Sequence, residues 1–424
     1  MKTNRRKFIE TTLAGGLGAA LPLSTCGKEK ITDKYHRLDE ILKKPVLKAD
    51  LLKSPVIIET LELLRFRNSF ICRVRSKDGA EGISVANNAQ MISLYPVFIT
   101  RLQPYFIGKD ALKLESLIDG VYVYQSNYKM QSLALWVPLA TIEFAILDML
   151  GRIAGKSFGE LIGEIHNKKI AVYQANGERE ITAELTVEHL IKEVAETRAK
   201  ALKLKVGGRM SNNFESPAGR TEKLIPLVRK TFGEKMVMYA DSNGSYTPDE
   251  AIRIGKILEE YKFDFYEEPV PFDWYEETKE VSDALTIPIA GGEQEPSIHM
   301  FRWLIANDAL QIVQPDMFYF GGMIRSMKVA RMAAEFGKQC TPHISGDLGY
   351  LYMMHFVSAI PNAGPYHEFK GFTKDLPFEC KTSSLSSDEG VVTVPSGPGL
   401  GIDIDPEYIA KYQVVTPPAP LKGG

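Results

Sequence analysis

Three acidic residues close three apolar, strand-like runs at one constant interval. Asp241 ends Val237-Met238-Tyr239-Ala240, Glu267 ends Phe263-Asp264-Phe265-Tyr266, and Glu293 ends Ile287-Pro288-Ile289-Ala290-Gly291-Gly292. Both steps are 26 residues, about the length of a strand, a turn, a helix and a return loop. The spacing predicts successive βα units of a parallel barrel with one carboxylate at the top of each strand. Neighbouring strands lie ~4.8 Å apart, so the three can converge on one hard cation. Oxygen ligands, few carboxylates and open positions suit Mg²⁺, one ion per subunit. Glu268 stands beside Glu267; the interval and the strand's inward alternation select Glu267 and leave Glu268 to contact a neighbouring charge.

Lys203 and Lys205 form a Lys-x-Lys pair one unit earlier, in Ala201-Leu202-Lys203-Leu204-Lys205-Val206. On a strand both point to one side. Inside a barrel they need carboxylates nearby, and a lysine crowded by another cation loses its proton more readily and can serve as a base. Asp316 ends Leu310-Gln311-Ile312-Val313-Gln314-Pro315, and His343 follows 27 residues on. An Asp and a His on adjacent strand ends can form a dyad in which the carboxylate fixes the imidazole tautomer and raises its pKa. Glu368 ends an eighth run and can hydrogen-bond a substrate oxygen when protonated; its bland alternative is a surface acid pairing Lys370. The other histidines (His36, His166, His189, His299, His355 and His367) lack such pairing and read as structural.

These residues need a scaffold. From Lys169 onward the chain alternates strand-like and helical patterns, with strands ending at Asn176, Lys205, Asp241, Glu267, Glu293, Asp316, His343 and Glu368. Eight strands with intervening helices predict a (β/α)₈-type barrel over residues 169–371, an α/β architecture whose strand C-termini carry the site. Thr247-Pro248-Asp249-Glu250 predicts a capping box opening one helix. Before the barrel, residues 31–168 read as an α+β capping domain. Apolar runs at Ile57–Leu64 and Phe70–Val74 lead to a hairpin turn at Ser76-Lys77-Asp78-Gly79, and helical periodicity follows over Ser93–Ile118 and Leu133–Leu161, the latter heavily apolar. Residues 27–50 are polar and Lys-rich and read as a linker. Residues 372–424, with their Gly- and Pro-rich stretch, are expected to pack back on the capping domain.

The 424 residues are 44% hydrophobic and 25% charged with a net charge of -2, an ordinary globular balance without the basic, aromatic-interleaved runs of a nucleic-acid binder. Cys26, Cys72, Cys340 and Cys380 have neither zinc spacing nor the density of a disulfide scaffold. The N-terminus, with Arg5-Arg6-Lys7 before a short Ala/Gly/Leu-rich run, predicts a twin-arginine (Tat-type) export signal over residues 1–30 and a periplasmic location. Leu23-Ser24-Thr25-Cys26 loosely matches a lipid-attachment site, making a lipoprotein anchored at Cys26 an alternative.

The combination Lys203-x-Lys205, Asp241, Glu267, Glu293, Asp316 with His343, and Glu368 resembles the enolase superfamily. Within it the match is to the mandelate racemase/muconate lactonizing enzyme family, mandelate racemase subgroup. The resemblance implies a carboxylate substrate bound to Mg²⁺ and loss of its α-proton, with Lys205 and His343 as bases on opposite faces. It gives Lys203 the role of stabilising the developing charge and Glu368 that of hydrogen-bonding the carboxylate. It further implies dehydration of an acid sugar to a 2-keto-3-deoxy acid, or else racemisation, epimerisation or cycloisomerisation. A non-catalytic, exported sugar-acid-binding protein is the alternative from another class. Expected partners are the small carboxylate and further copies of the chain. Tyr122, Tyr124, Tyr128 and Trp136 are candidate specificity residues. One departure is the long connection Gly207–Arg220, with Arg209, Asn212, Asn213 and Arg220, which can be either a substrate-contacting segment or a surface excursion.

Overall fold

The computed structural model describes residues 29–344, 348–369, 379–382 and 385–417. Arg5, Arg6 and Cys26, which carry the expected export signal and lipid anchor, lie outside the described residues, as do Lys370 and Gly371.

Eight parallel strands close a barrel: β4 (Lys169–Ala175), β5 (Ala201–Lys205), β6 (Val237–Asp241), β7 (Phe265–Glu267), β8 (Ile289–Gly291), β9 (Ile312–Val313), β10 (Gln339–Cys340) and β11 (His367–Glu368). The three strands before them, β1 (Ile58–Phe66), β2 (Ser69–Ser76) and β3 (Glu81–Val85), belong to a separate antiparallel sheet. β4 to β10 pair in sequence order, β11 returns to pair with β4, and a parallel bridge from Cys340 to Ala363 closes the ring. Period-two alternation sorts the side chains. Tyr173, Ala201, Tyr239, Phe265, Ala290 and Ile312 fill the barrel interior as a separate apolar cluster. Tyr239 and Phe265 stack at 3.8 Å, and Tyr173 meets Tyr239 edge-on. Two residues further along their strands the same parity brings Lys203, Asp241, Glu267 and Gln314, all buried. The apolar layer is thus the floor on which a charged layer rests. Leu202, Leu204, Met238, Tyr266 and Ile289 face outward into the main core.

The capping sheet is antiparallel: β1 (Ile58–Phe66), β2 (Ser69–Ser76) and β3 (Glu81–Val85). The helix Leu133–Ala154 packs across it, with every residue from Leu135 to Gly151 buried. Gly82 is the point of closest approach: a Cβ there would lie 2.2 Å from the Ala145 carbonyl oxygen. This helix is apolar and long enough to cross a membrane, yet most of it is buried inside the protein. Phe144 from the cap stacks on Tyr352 of the barrel at 4.1 Å. The Tyr352 hydroxyl accepts from the Val85 backbone N–H at 2.8 Å.

The structure corrects several expectations. Residues 31–42 are a helix, not a linker; Leu38 and Ile41 are buried, and the helix lies on the barrel helices Ile298–Ala306 and Met323–Glu335. Amphipathic spacing at Leu38 and Ile41 outweighs the lysine-rich composition. The stretch Ser93–Ile118 is broken into short helices, with Pro96 inside the first and a π-turn at Phe98–Leu102. The apolar helix ends at Ala154, where Gly155 adopts the left-handed C-cap, and Ser157 and Glu160 form a capping box for a new short helix. The capping box at Thr247 is absent. Asn213 engages Thr247 instead, and Glu250 pairs with Arg253. The C-terminal segment divides: β12 (Ser387–Asp388) and β13 (Val391–Thr393) extend the barrel sheet along β4, while Leu400 and Asp403 bond to Asp148 and Arg152 of the cap helix and β14 (Gln413–Val414) pairs with β1.

Candidate active site

The parallel register places Lys205 beside Asp241, and Asp241 beside Glu267, in one row across β5, β6 and β7. Lys203 sits one row lower and reaches up. Its Nζ donates to Glu267 at 2.9 and 3.1 Å and to Glu368 at 3.3 Å. Lys203 is only 2% exposed, a position costly for an ammonium unless it is paired. Burial pulls its pKa down, but Glu267, Tyr173, Glu368 and Asp241 outweigh burial and hold it well above the ordinary value. Lys203 therefore stays charged. Lys205 donates to Asp241 and, at 3.1 Å, to Asn243 Oδ1. Burial raises the Asp241 pKa, but Lys205 and Lys203 overcome this and leave the carboxylate ionised, well below the ordinary range.

Glu293, Asp316 and His343 stand just beyond β8, β9 and β10 rather than within them. At the barrel mouth the ladder gives way to loops, and Asp316 and His343 meet as an isolated parallel bridge. Their side chains form the expected dyad: His343 Nδ1 lies 2.7 Å from Asp316 Oδ2. Asp316 Oδ1 accepts the backbone N–H groups of Phe318 and Tyr319, which fixes the carboxylate. His343 Nε2 faces Glu293 at 3.5 Å. Burial lowers the imidazole pKa, but Glu293, Asp316 and Glu368 raise it to about 10.

Among the described residues, no three His, Cys, Asp or Glu side chains are gathered into a closed metal cage. Cationic side chains hold the carboxylates instead: Lys205 is on Asp241, Lys203 on Glu267 and His343 faces Glu293. The donor set still fits a hard divalent cation. Burial pushes the Glu267 carboxyl up to about 7 against the pull of Lys203, and the charges of Asp241 and Glu293 push the same way. Glu268, expected to contact a neighbouring charge, accepts instead from Asn243, and its Oε1 is buried without a partner. Burial, then Glu293, Asp241 and Glu267, raise its pKa well above the ordinary value. This excess of crowded carboxylate oxygen is relieved by a cation.

The chain matches the family described as enolase C-terminal domain-like over residues 186–408. It belongs to the enolase superfamily. It is 27% identical over 317 residues to an arabinonate dehydratase of Saccharolobus solfataricus, covering 74% of this chain and 81% of that one. It is 26% identical to a D-galactarolactone cycloisomerase of Agrobacterium fabrum, covering 74% and 83%. A mandelate racemase/muconate lactonizing protein of Paracoccus denitrificans, solved with magnesium, shares the fold with a TM-score of 0.77 at 22% identity, covering 86% of this chain and all of that one. Family, fold and relatives make this superfamily member an enzyme.

Lys203, Lys205, Asp241, Glu267, Glu293, Asp316, His343 and Glu368 all gather at this mouth of the barrel, with Glu368 engaged by Lys203 and the Tyr173 hydroxyl. Further members were not anticipated. Gln314 donates to Glu267 at 2.9 Å; its inward parity, two residues before Asp316, is a signal that could have found it. Asn243 and Arg179 come from loops, where no periodicity marks them. Of the candidate specificity residues, Tyr122 stacks on Trp136 at 5.6 Å, and Arg325 covers Trp136 at 3.9 Å. Tyr124 packs against Tyr105, and Tyr128 against Tyr122. Through Arg325, Trp136 joins the cap to the barrel, whereas the ring contacts of Tyr124 and Tyr128 lie within the cap.

Proposed function

We propose that the chain is a Mg²⁺-dependent acid-sugar dehydratase, removing the α-proton of a sugar-acid carboxylate and expelling the β-hydroxyl to give a 2-keto-3-deoxy acid. The observation that carries this reading is the pair of proton-carrying groups, Lys205 Nζ and His343 Nε2, standing on strand ends to either side of β11 and β4 with the carboxylates completing the ring. Asp241, Glu267 and Glu293 would hold the ion, which when bound would neutralise charge gathering on the substrate carboxylate. Lys203, kept charged by its neighbours, donates hydrogen bonds to the same developing charge. Lys205 Nζ receives the α-proton. His343, with its pKa raised to about 10 by Glu293 and Asp316 over the opposing effect of burial, carries a proton at neutral pH and delivers it to the departing hydroxyl. Asp316 orients the ring. The buried Glu368 lies beside Lys203 and hydrogen-bonds the substrate carboxylate when protonated.

The same two proton carriers also suit racemisation, epimerisation or cycloisomerisation, the last being the reaction named for the Agrobacterium relative. Incubation of the Mg²⁺-loaded protein with a library of acid sugars in D₂O separates the readings. A keto acid trapped by semicarbazide supports dehydration, and α-deuterium without keto acid supports the isomerase. Absence of both across the library would overturn α-proton chemistry. For location we propose twin-arginine export, on the N-terminal pattern alone; a substitution of Arg5 and Arg6 by lysine that leaves the protein's location unchanged would refute it.

A further inference from the structure

The long connection after β5 does not run free over the surface. Met210, Asn212 and Asn213 adopt positive φ of 48°, 50° and 70°, a region that asparagine tolerates and that a side chain such as Met210 holds only when its surroundings enforce it. Backbone bonds from Met210 to Asn243 and from Asn213 to Ser245 supply that enforcement. The loop so held faces the segment after β4 across a cavity of about 670 Å³ whose walls include Arg179, Glu180, Arg209 and Phe214. Arg220 takes no part in ligand binding, since its guanidinium is spent on the carbonyls of Glu178, Ile181 and Lys205 and on Thr186.

Arg179 differs. Its Nε donates to the Gly208 carbonyl at 2.5 Å and its Nη2 to Asn243 Oδ1 at 2.5 Å. Among the described residues Nη1 has no partner, and neither Arg179 nor Arg209 forms an ion pair. Burial depresses the Arg179 pKa against the pull of Asp241, and the charges of Arg209 and Arg220 depress it further. The acids of the same wall are engaged or exposed: Glu178 holds His189 at 2.7 Å, Glu215 holds Thr221, and Glu180 faces solvent. A half-buried guanidinium without an anion is an unfinished pair.

The distance to the chemistry is short. Asn243 Oδ1 accepts from Arg179 at 2.5 Å and from Lys205 at 3.1 Å, so the two nitrogens stand no further apart than one bridging oxygen allows. In a six-carbon acid, four C–C bonds of ~1.5 Å separate C2 from C6, roughly 5 Å in a staggered chain. A substrate with its α-carbon at Lys205 therefore brings its far end to Arg179.

We propose that Arg179 and Arg209 form a subsite for a second carboxylate, so that the preferred substrates are dicarboxylic sugar acids rather than their monocarboxylic counterparts. This rests on the reading of the site as an acid-sugar enzyme and deepens it. The test is calorimetric binding of glucarate, galactarate and mannarate against gluconate, galactonate and mannonate to the Mg²⁺-loaded full chain. Wild type, Arg209→Ala and Arg179→Gln are compared, with α-deuterium exchange followed in parallel. The best diacid is expected to bind at least about tenfold tighter than the best monoacid, the gain of one charge-assisted contact, and both substitutions should bring the ratio to within about twofold. Equal binding of the two classes, a preference surviving both substitutions, or no binding of any acid would overturn the subsite. Arginine-dependent preference without exchange would keep the subsite and sink the proposed reaction. Exchange on a monoacid without diacid preference would do the reverse.

Discussion

Replacing Asp316 with asparagine alters the His343 dyad at almost constant volume. Asp316 Oδ1 accepts two backbone N–H groups, at 2.7 and 2.8 Å, while Oδ2 faces His343 Nδ1 at 2.7 Å. The asparagine carbonyl keeps the two amides, which turns its NH₂ toward His343. A donor facing Nδ1 forces that nitrogen to accept, and the imidazole can then be charged only if two donors confront each other. The charge-assisted bond lost is worth about 1.5–3 kcal/mol, so keto-acid formation should fall roughly 10- to 150-fold. Because Lys205 is the group that takes the α-proton, deuterium exchange should fall much less. The assay pairs keto-acid formation with exchange by proton NMR on one substrate, with circular dichroism and a Mg²⁺ thermal shift to show an intact fold and metal site. A keto-acid rate within threefold of wild type, or equal losses in both readouts, would falsify the assignment of the dyad as the acid.

Other consequences follow from the same geometry. Mg²⁺ at a hundredfold excess over its Kd should stabilise the protein by about 2.7 kcal/mol, and Asp241→Asn should remove that gain in thermal unfolding; a shift that survives the substitution places the ion elsewhere. Burial pushes the Glu143 carboxyl up to about 8 against the pull of the Ile324 and Met323 N–H groups. The folded chain thus holds this proton more tightly than the unfolded one, so the stability it contributes is complete below the ordinary value of 4.5 and is lost as pH rises through about 8. Glu143→Gln, which cannot lose a proton, should gain on wild type by up to about 1.4 kcal/mol per pH unit across that window. Urea unfolding at pH 5, 7 and 9 measures the gap, and a constant gap would refute the burial argument. Gly82→Ala should cost about 3 kcal/mol, because its Cβ would meet backbone atoms of Ala145 and Met149 at 2.2 and 2.4 Å; an unchanged melting temperature would show that the cap helix can shift.

The barrel, its register and its charged layer were legible in the chain because they repeat. A βα unit has a nearly constant length, and a strand returns its side chains to one face every second residue. Constant spacing therefore put Asp241 and Glu267 in one row and Glu293 just past the end of the next strand, and parity put Lys203 and Lys205 on the same side. The sequence by itself determined which residues share the mouth of the barrel. Only the tertiary structure decided how they are joined. Asn243 bridges Lys205 to Arg179, Gln314 steadies Glu267, and Glu268 is left with an unpartnered oxygen. The helix Ile31–Leu42 on the barrel wall and the Ser387–Thr393 hairpin along β4 were likewise decided by distant surfaces. Local pattern encodes which way a side chain faces. It does not encode which loop residue, hundreds of positions away or only a few dozen, arrives to complete a hydrogen bond or cover an apolar stripe, because that is set by closure of the whole barrel.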